Sequence, residues 1–269
     1  MVWSSNLAGM SGQRPLVLAI AGHDPCGGAG IQADIETIHS LGGRALTLVT
    51  LLTAQNTRGL HHSWPVPADL LGAQLDLLLE DLRPAAVKIG LLGSAEQAKL
   101  LAGRLARLER PVVLDPVLAS GAGQPLADGP LIEALRRHLL PLSTLITPNG
   151  PEALRLSGEE TLTAAAGRLQ TLGARWVLVS GGHGPEGEEV VSRLQGPGGV
   201  QEAFRHRRRP GNIHGTGCTL SAAIATLLTR GLAPPEAVRQ AHRYTARAVA
   251  EAVTPGGGAP IPERLDIEF

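Results

Sequence analysis

The hydrophobic positions of this chain fall into two kinds of segment that alternate along nearly its whole length. Short, almost wholly apolar runs at 15–21, 45–53, 85–89, 111–115, 145–147 and 176–179 are too brief for helices. They read as strands buried on both faces, the pattern of a parallel sheet. Between them, leucine and alanine recur at helical spacing over 31–41, 68–82, 95–108, 130–140, 163–172 and 235–253. Asn149 is placed to cap a further helix reaching Ser157. Two weaker strands near 190–194 and 201–204 look like a hairpin around Gly196-Pro197-Gly198-Gly199. This alternation predicts an α/β fold, a mostly parallel central sheet with helices on both faces, three layers in all. No repeat, long linker or composition break divides the chain. One domain over 15–269 is expected, behind a flexible tail at 1–14, with Gly256-Gly257-Gly258 loosening the C-terminus.

The stretch His214-Gly215-Thr216-Gly217-Cys218-Thr219-Leu220-Ser221 leads into an Ala- and Leu-rich helix. Glycine allows positive φ and close approach of the backbone to a ligand. Unpaired N–H groups at a helix start, with the helix dipole behind them, attract anions. Gly215, Gly217 and Cys218 are therefore candidates for an anion hole, and a helix start favours a Cys218 thiolate. The same pattern also describes a tight loop into a buried helix, with Cys218 as a packing residue.

Ligands in open α/β sheets bind beyond the carboxyl ends of the strands. Asp24, Gln55, Asp115, Asn149, Glu152 and His183 all follow predicted strands. Asp115 and Glu152 could hold Mg²⁺, directly or through water, which together with an anion hole suits phosphoryl transfer. Singly, each acid could be a cap or a surface charge. No Gly-x-x-x-x-Gly-Lys-Ser/Thr run is present, which excludes a P-loop kinase. Gly28-Ala29-Gly30-Ile31-Gln32-Ala33 fits a loose dinucleotide pattern. It stands six residues beyond the strand end at Ala21, and the second strand ends near Gln55 rather than an acid. A nicotinamide oxidoreductase is thus only a weak alternative.

Composition narrows the field further. Lys plus Arg and Asp plus Glu both number 24, so no electrostatic footprint for nucleic acid exists. The basic run at 205–209 reads as a solvated strand edge or turn. No apolar run is long enough for a membrane span, and the first 14 residues lack the pattern of a secretory signal. Two distant cysteines do not make a disulfide framework, and a reducing cytoplasm is the simplest setting.

Several motifs then occur in a characteristic order. They are Gly22-x-Asp24-Pro25-x-Gly27-Gly28-Ala29-Gly30-Ile31-Gln32-Ala33-Asp34, Ala54-Gln55-Asn56-Thr57 and Lys88-Ile89-Gly90. They continue with Asp115-Pro116-Val117, Thr147-Pro148-Asn149-x-x-Glu152, Gly181-Gly182-His183 and the run from His214 to Ser221. Over about 16–253 the chain resembles the hydroxymethylpyrimidine/phosphomethylpyrimidine kinases of thiamine biosynthesis, within the ribokinase-like superfamily. The resemblance implies that ATP with Mg²⁺ phosphorylates 4-amino-5-hydroxymethyl-2-methylpyrimidine, then its monophosphate. It implies that Gln55 reads the pyrimidine edge, which suits an amide because it donates and accepts at once. Gly22, Asp24, Thr53, Leu91 and Val117 would line that pocket. Gly215, Gly217 and Cys218 would form the anion hole, with Cys218 as the base. Asp115, Asn149 and Glu152 would organise Mg²⁺ and phosphate. A homodimer is also implied.

The chain departs from the family pattern at some positions. Ser180 stands where a lysine usually precedes Gly-Gly-His. Leu118-Ala119-Ser120-Gly121-Ala122-Gly123 lacks the family's lysine, and His23 and Cys26 replace Ser/Thr and Ser. The first phosphorylation remains the expectation; the second depends on whether another group supplies the phosphate-contacting charge. The alternatives are a pyridoxal kinase of the same fold and a non-catalytic pyrimidine-binding regulator.

Overall fold

β-branched and leucine-rich runs too short for helices become strands, and in the computed structural model they join one sheet. The structure describes residues 14–121, 123–181, 189–209 and 211–265. The strands are β1 (Leu16–His23), β2 (Arg44–Asn56), β3 (Gly59–Pro65), β4 (Ala86–Ile89) and β5 (Val112–Leu114). β6 (Leu145–Ile146), β7 (Trp176–Val179), β8 (Glu189–Gln195) and β9 (Gln201–Arg207) follow. Their order is β3-β2-β1-β4-β5-β6-β7-β8-β9. From β2 to β7 neighbours run parallel. β3 and the β8–β9 hairpin are antiparallel at the two edges.

The helices are α1 (Gly30–Ser40), α2 (Ala68–Asp81), α3 (Ala95–Leu105), α4 (Gly129–Ala134) and α5 (Gly150–Ser157). They continue with α6 (Leu162–Thr171), α7 (Thr216–Leu228) and α8 (Pro234–Ala250). Successive strand residues point to opposite faces, so β1 feeds two apolar layers. Leu18 and Ile20 pack with Leu71 and Leu75 of α2, Leu101 of α3 and Leu156 of α5. Val17 and Ala19 pack with Ile38 of α1, Ile224 of α7 and Tyr244 of α8. From Thr219 to Leu228 every residue of α7 is buried. A helix apolar on all sides belongs in an interior, and its first turn opens at the carboxyl ends of the strands.

Three expectations change. β3 carries no apolar alternation, because this edge strand is mostly solvent-exposed; nothing in its pattern marks it as a strand. The helix expected over 130–140 ends as α4, then passes through a π turn, Leu135–Leu139, and a 3₁₀ turn, Leu140–Leu142. Pro141 lacks an N–H and crowds the carbonyl four residues earlier, so a regular helix cannot pass it. The glycines at 256–258 do not loosen the C-terminus. A side chain on Gly258 would collide with the backbone of Thr57, and Val253 pairs with Ile261. These glycines let the chain return closely along the β2–β3 turn. Gly182, His183 and Ala122, and the tail at 1–13, lie outside the described residues. Among the described residues no helix is long and apolar enough to cross a membrane.

Candidate active site

The loop after β1 folds around Asp24. Its Oδ1 accepts the Cys26 amide at 2.9 Å and its Oδ2 accepts the Ala29 amide at 2.9 Å. His214 Nε2 stands 3.0 Å from the same Oδ2. Burial alone would raise this carboxyl, but hydrogen bonds from His214, Gln55 and the Cys26 amide hold it at about 2. Asp24 is therefore ionised at neutral pH and draws together two segments 190 residues apart in sequence.

Gly215 caps α7 with φ +90°. A Cβ there would collide with the carbonyl oxygen of Gly28, so only glycine lets the last motif lie on the first. Thr216, Gly217 and Cys218 form the opening turn of α7, where backbone N–H groups have no helical partner. A Cβ on Gly217 would sit 3.9 Å from Asp115 Oδ2. Asp115, just past β5, is thus held beside the helix start, and Ser221 donates to its Oδ2 at 3.1 Å.

Asn149 and Glu152 form a reciprocal capping box at α5. Asn149 Oδ1 accepts the Glu152 amide, and Glu152 Oε2 accepts the Asn149 amide, both at 2.9 Å. Glu152 Oε1 also accepts the Leu118 amide at 3.3 Å. Burial and the nearby charge of Asp115 push the Glu152 carboxyl up to about 7. Burial raises Asp115 as well, against the opposing pull of Lys88. Two carboxyls whose pKa burial raises, with Asp115 adding to the shift at Glu152, are hard-oxygen donors that a divalent cation would relieve.

Beneath the helix start lies a fully buried ion pair between Lys88 of β4 and Asp34 of α1, 2.8 Å apart. Burial works against the Lys88 charge, but Asp34, Cys218 and Asp115 hold its pKa above the ordinary lysine value. Cys218 does not have the lowered pKa expected at a helix start. Burial pushes the thiol up to about 11; Lys88 opposes this, while Asp115 and Asp34 add to it. Desolvation and two carboxylates outweigh the lysine and the hydrogen bond from the Gly30 backbone.

Beside this centre is a cavity of about 370 Å³. Gln55, Arg58, Leu60, Ser120, Gly121 and His214 are in its wall. Of the residues expected around the substrate, Gln55 reaches this wall and Asp24 touches it only through His214. Thr53 lies inside the longer β2, and its hydroxyl donates to the His23 carbonyl at 2.8 Å. Gly22 packs against Leu51 and Leu91. The Val117 amide donates to the Asp115 carbonyl at 2.8 Å. These four support the strand ends and are not part of the cavity wall. Ser180 bonds to the Pro148 backbone at 2.9 Å and brings no charge. Sequence reasoning assigned no role to Lys88, Asp34, His214 or Ser221, although all stand in the quoted motifs. Arg264 was missed entirely, in a segment read as loose.

Solved structures with the same fold fix the class. The ADP complex of Bacillus subtilis pyridoxal kinase superposes with a TM-score of 0.85 at 30% identity. It covers 94% of this chain and 98% of that one. Phosphomethylpyrimidine kinase from Clostridium difficile gives 0.78 at 32% identity, over 88% of this chain and all of the other. The fold is that of a ribokinase-like α/β kinase. A family model described as phosphomethylpyrimidine kinase matches residues 24–262. The hydroxymethylpyrimidine/phosphomethylpyrimidine kinase of Streptomyces coelicolor is 39% identical over 251 residues, 91% of this chain and 92% of that one. This chain belongs to the phosphomethylpyrimidine kinase family.

Proposed function

We propose that this kinase transfers the γ-phosphoryl group of ATP to the hydroxymethyl oxygen of 4-amino-5-hydroxymethyl-2-methylpyrimidine, and then phosphorylates the monophosphate to the diphosphate. The observation that carries the reading is the opening turn of α7, set by Gly215 against the β1 loop and beside Asp115. Free backbone N–H groups there meet the charge that develops on the transferring phosphoryl group. Gln55, on the cavity wall, offers a donor and an acceptor to the aminopyrimidine edge. The internally satisfied Asp24 and His214 fix the substrate loop against the anion hole.

Mg²⁺ suits the paired carboxylates of Asp115 and Glu152, which would hold it directly or through water. When bound it neutralises phosphate charge. The hydroxyl proton goes to Cys218 as its minor thiolate form, late in a loose transition state in which the oxygen becomes acidic only as the bond forms. Lys88, beneath, adds positive potential to the same turn.

The likeness to pyridoxal kinase supports a second reading, in which pyridoxal is the preferred alcohol. ADP release with ATP, Mg²⁺ and each alcohol in turn separates the two. Turnover with pyridoxal only, or with neither, overturns the pyrimidine reading. A homodimer in the cytoplasm fits the exposed Leu52 and Trp64 near the β3 edge and two free thiols; light scattering tests the dimer.

A further inference from the structure

Among the described residues the largest fully buried side chain is Arg264, 1% exposed, in the returning C-terminal segment. A buried guanidinium demands partners for its five donors. Nε donates to Thr219 Oγ1 at 2.8 Å, in the first turns of α7. Nη1 donates to the Gly27 carbonyl at 3.2 Å and to Glu36 Oε2 of α1 at 2.9 Å. Nη2 donates to the Gly28 carbonyl. Thr219 Oγ1 in turn donates to the Gly215 carbonyl at 2.9 Å. One planar fork therefore spans the β1 loop, α1 and the start of α7.

The backbone that delivers this fork is itself tied down. Tyr244 of α8 donates to the Arg264 carbonyl at 2.8 Å. The Glu263 amide donates to the Ala248 carbonyl at 3.0 Å. The Ala259 amide donates to the Thr57 carbonyl and the His214 amide to the Pro260 carbonyl, both at 2.8 Å. Thr57, His214, Gly258 and Ala259 all line the cavity. The segment that carries Arg264 thus also builds part of the cavity wall.

We propose that Arg264 is a positioning residue for phosphoryl transfer: it locks the Gly27–Gly28 turn to the first turn of α7, so that the C-terminal segment completes the site. The proposal rests on the phosphoryl-transfer reading above. Arg264 touches no reacting atom. It fixes the distance between the loop that frames the substrate and the N–H groups that meet the phosphoryl charge. A lysine keeps the charge, but a point ammonium cannot reproduce a fork that spans three elements.

The test compares the parent, Arg264→Lys and Glu36→Gln. Steady-state kinetics with the hydroxymethyl pyrimidine and ATP are paired with hydrogen–deuterium exchange of the ligand-free proteins. A misplacement of about 1 Å costs on the order of 10²-fold in rate. Arg264→Lys is therefore expected to lower kcat about that much, with both KM values within about threefold. Glu36→Gln, which removes the charge of one partner and keeps the fork, is expected to lower kcat several-fold. Faster exchange is expected at 27–30 and 215–219 while the strands keep parental protection. Parental kcat in Arg264→Lys, or faster exchange spread over the whole sheet, overturns the proposal. If Arg264→Lys does not fold, Glu36→Gln decides by the same two readings. A parent without turnover on any alcohol defeats the functional reading alone, since the exchange pattern is measured without substrate.

Discussion

If Cys218 is the base, its environment dictates an unusual pH–rate profile. Its thiol is pushed up to about 11. At pH 7.5 the thiolate is then roughly one part in 3,000 of the enzyme, and each further pH unit raises that fraction about tenfold until the pKa is approached. kcat of the parent, measured at saturating ATP and pyrimidine, should climb with near-unit slope in log kcat between pH 7.5 and 10. Cys218→Ala should lose the slope and about 10²–10⁴ in rate, the usual worth of a positioned base. Its backbone N–H stays in place, so the remaining activity reports the anion hole. Cys218→Asp should recover part of the rate, because a carboxyl raised by the same surroundings still ionises at lower pH than the thiol, and its profile should flatten earlier. Melting curves of each variant guard against a folding defect. A parent profile flat from 7.5 to 10, or a folded Cys218→Ala within threefold of the parent, would refute the base and leave the thiol as the small residue that opens α7.

Other consequences concern recognition and stability. Gln55→Leu should weaken pyrimidine binding by about 1–3 kcal/mol per orphaned partner, read by calorimetry, with substrate-free ATP hydrolysis unchanged; normal affinity would place the pyrimidine elsewhere. Lys88→Met leaves Asp34 buried and unpaired, which should cost about 3–5 kcal/mol in urea unfolding. Lys88→Met with Asp34→Leu should regain most of that loss, and a single variant costing under 1 kcal/mol would contradict the buried pair. His242 of α8 stacks on Phe204 and lies beside His206 of β9. Burial, then the neighbouring His206, lowers its pKa from 6.5 to about 4. The unfolded chain takes up this proton first, so the contribution is whole above pH 6.5 and is lost as pH falls toward 4, about 3 kcal/mol in all. His242→Phe should flatten the melting temperature between pH 6.5 and 4.5; an unchanged acid slope would rule this group out.

The sequence by itself determined what depends on near neighbours. Apolar runs of strand length alternating with helical spacing specify a parallel α/β sheet, because both periods are set within one or two turns of backbone. Asn149 caps its helix as expected for the same reason, and Glu152, three residues on, completes a capping box with it. Gly215 before a helix of small residues was readable as a tight turn opening a helix, since φ is a local property. Only the tertiary structure decided the rest. β3 is a strand because β2 offers it an edge, and its own pattern carries no sign of that. Lys88 and Asp34, 54 residues apart, pair because β4 and α1 enclose them. Arg264 reaches the β1 loop across 236 residues, through glycines that permit close packing and were read as slack. The Cys218 thiol follows the same logic: its place at a helix start is written in the chain, but its pKa depends on burial and on the charges of Lys88, Asp115 and Asp34 that the fold brings around it. Backbone preferences act over a few residues, whereas desolvation and charge act through space.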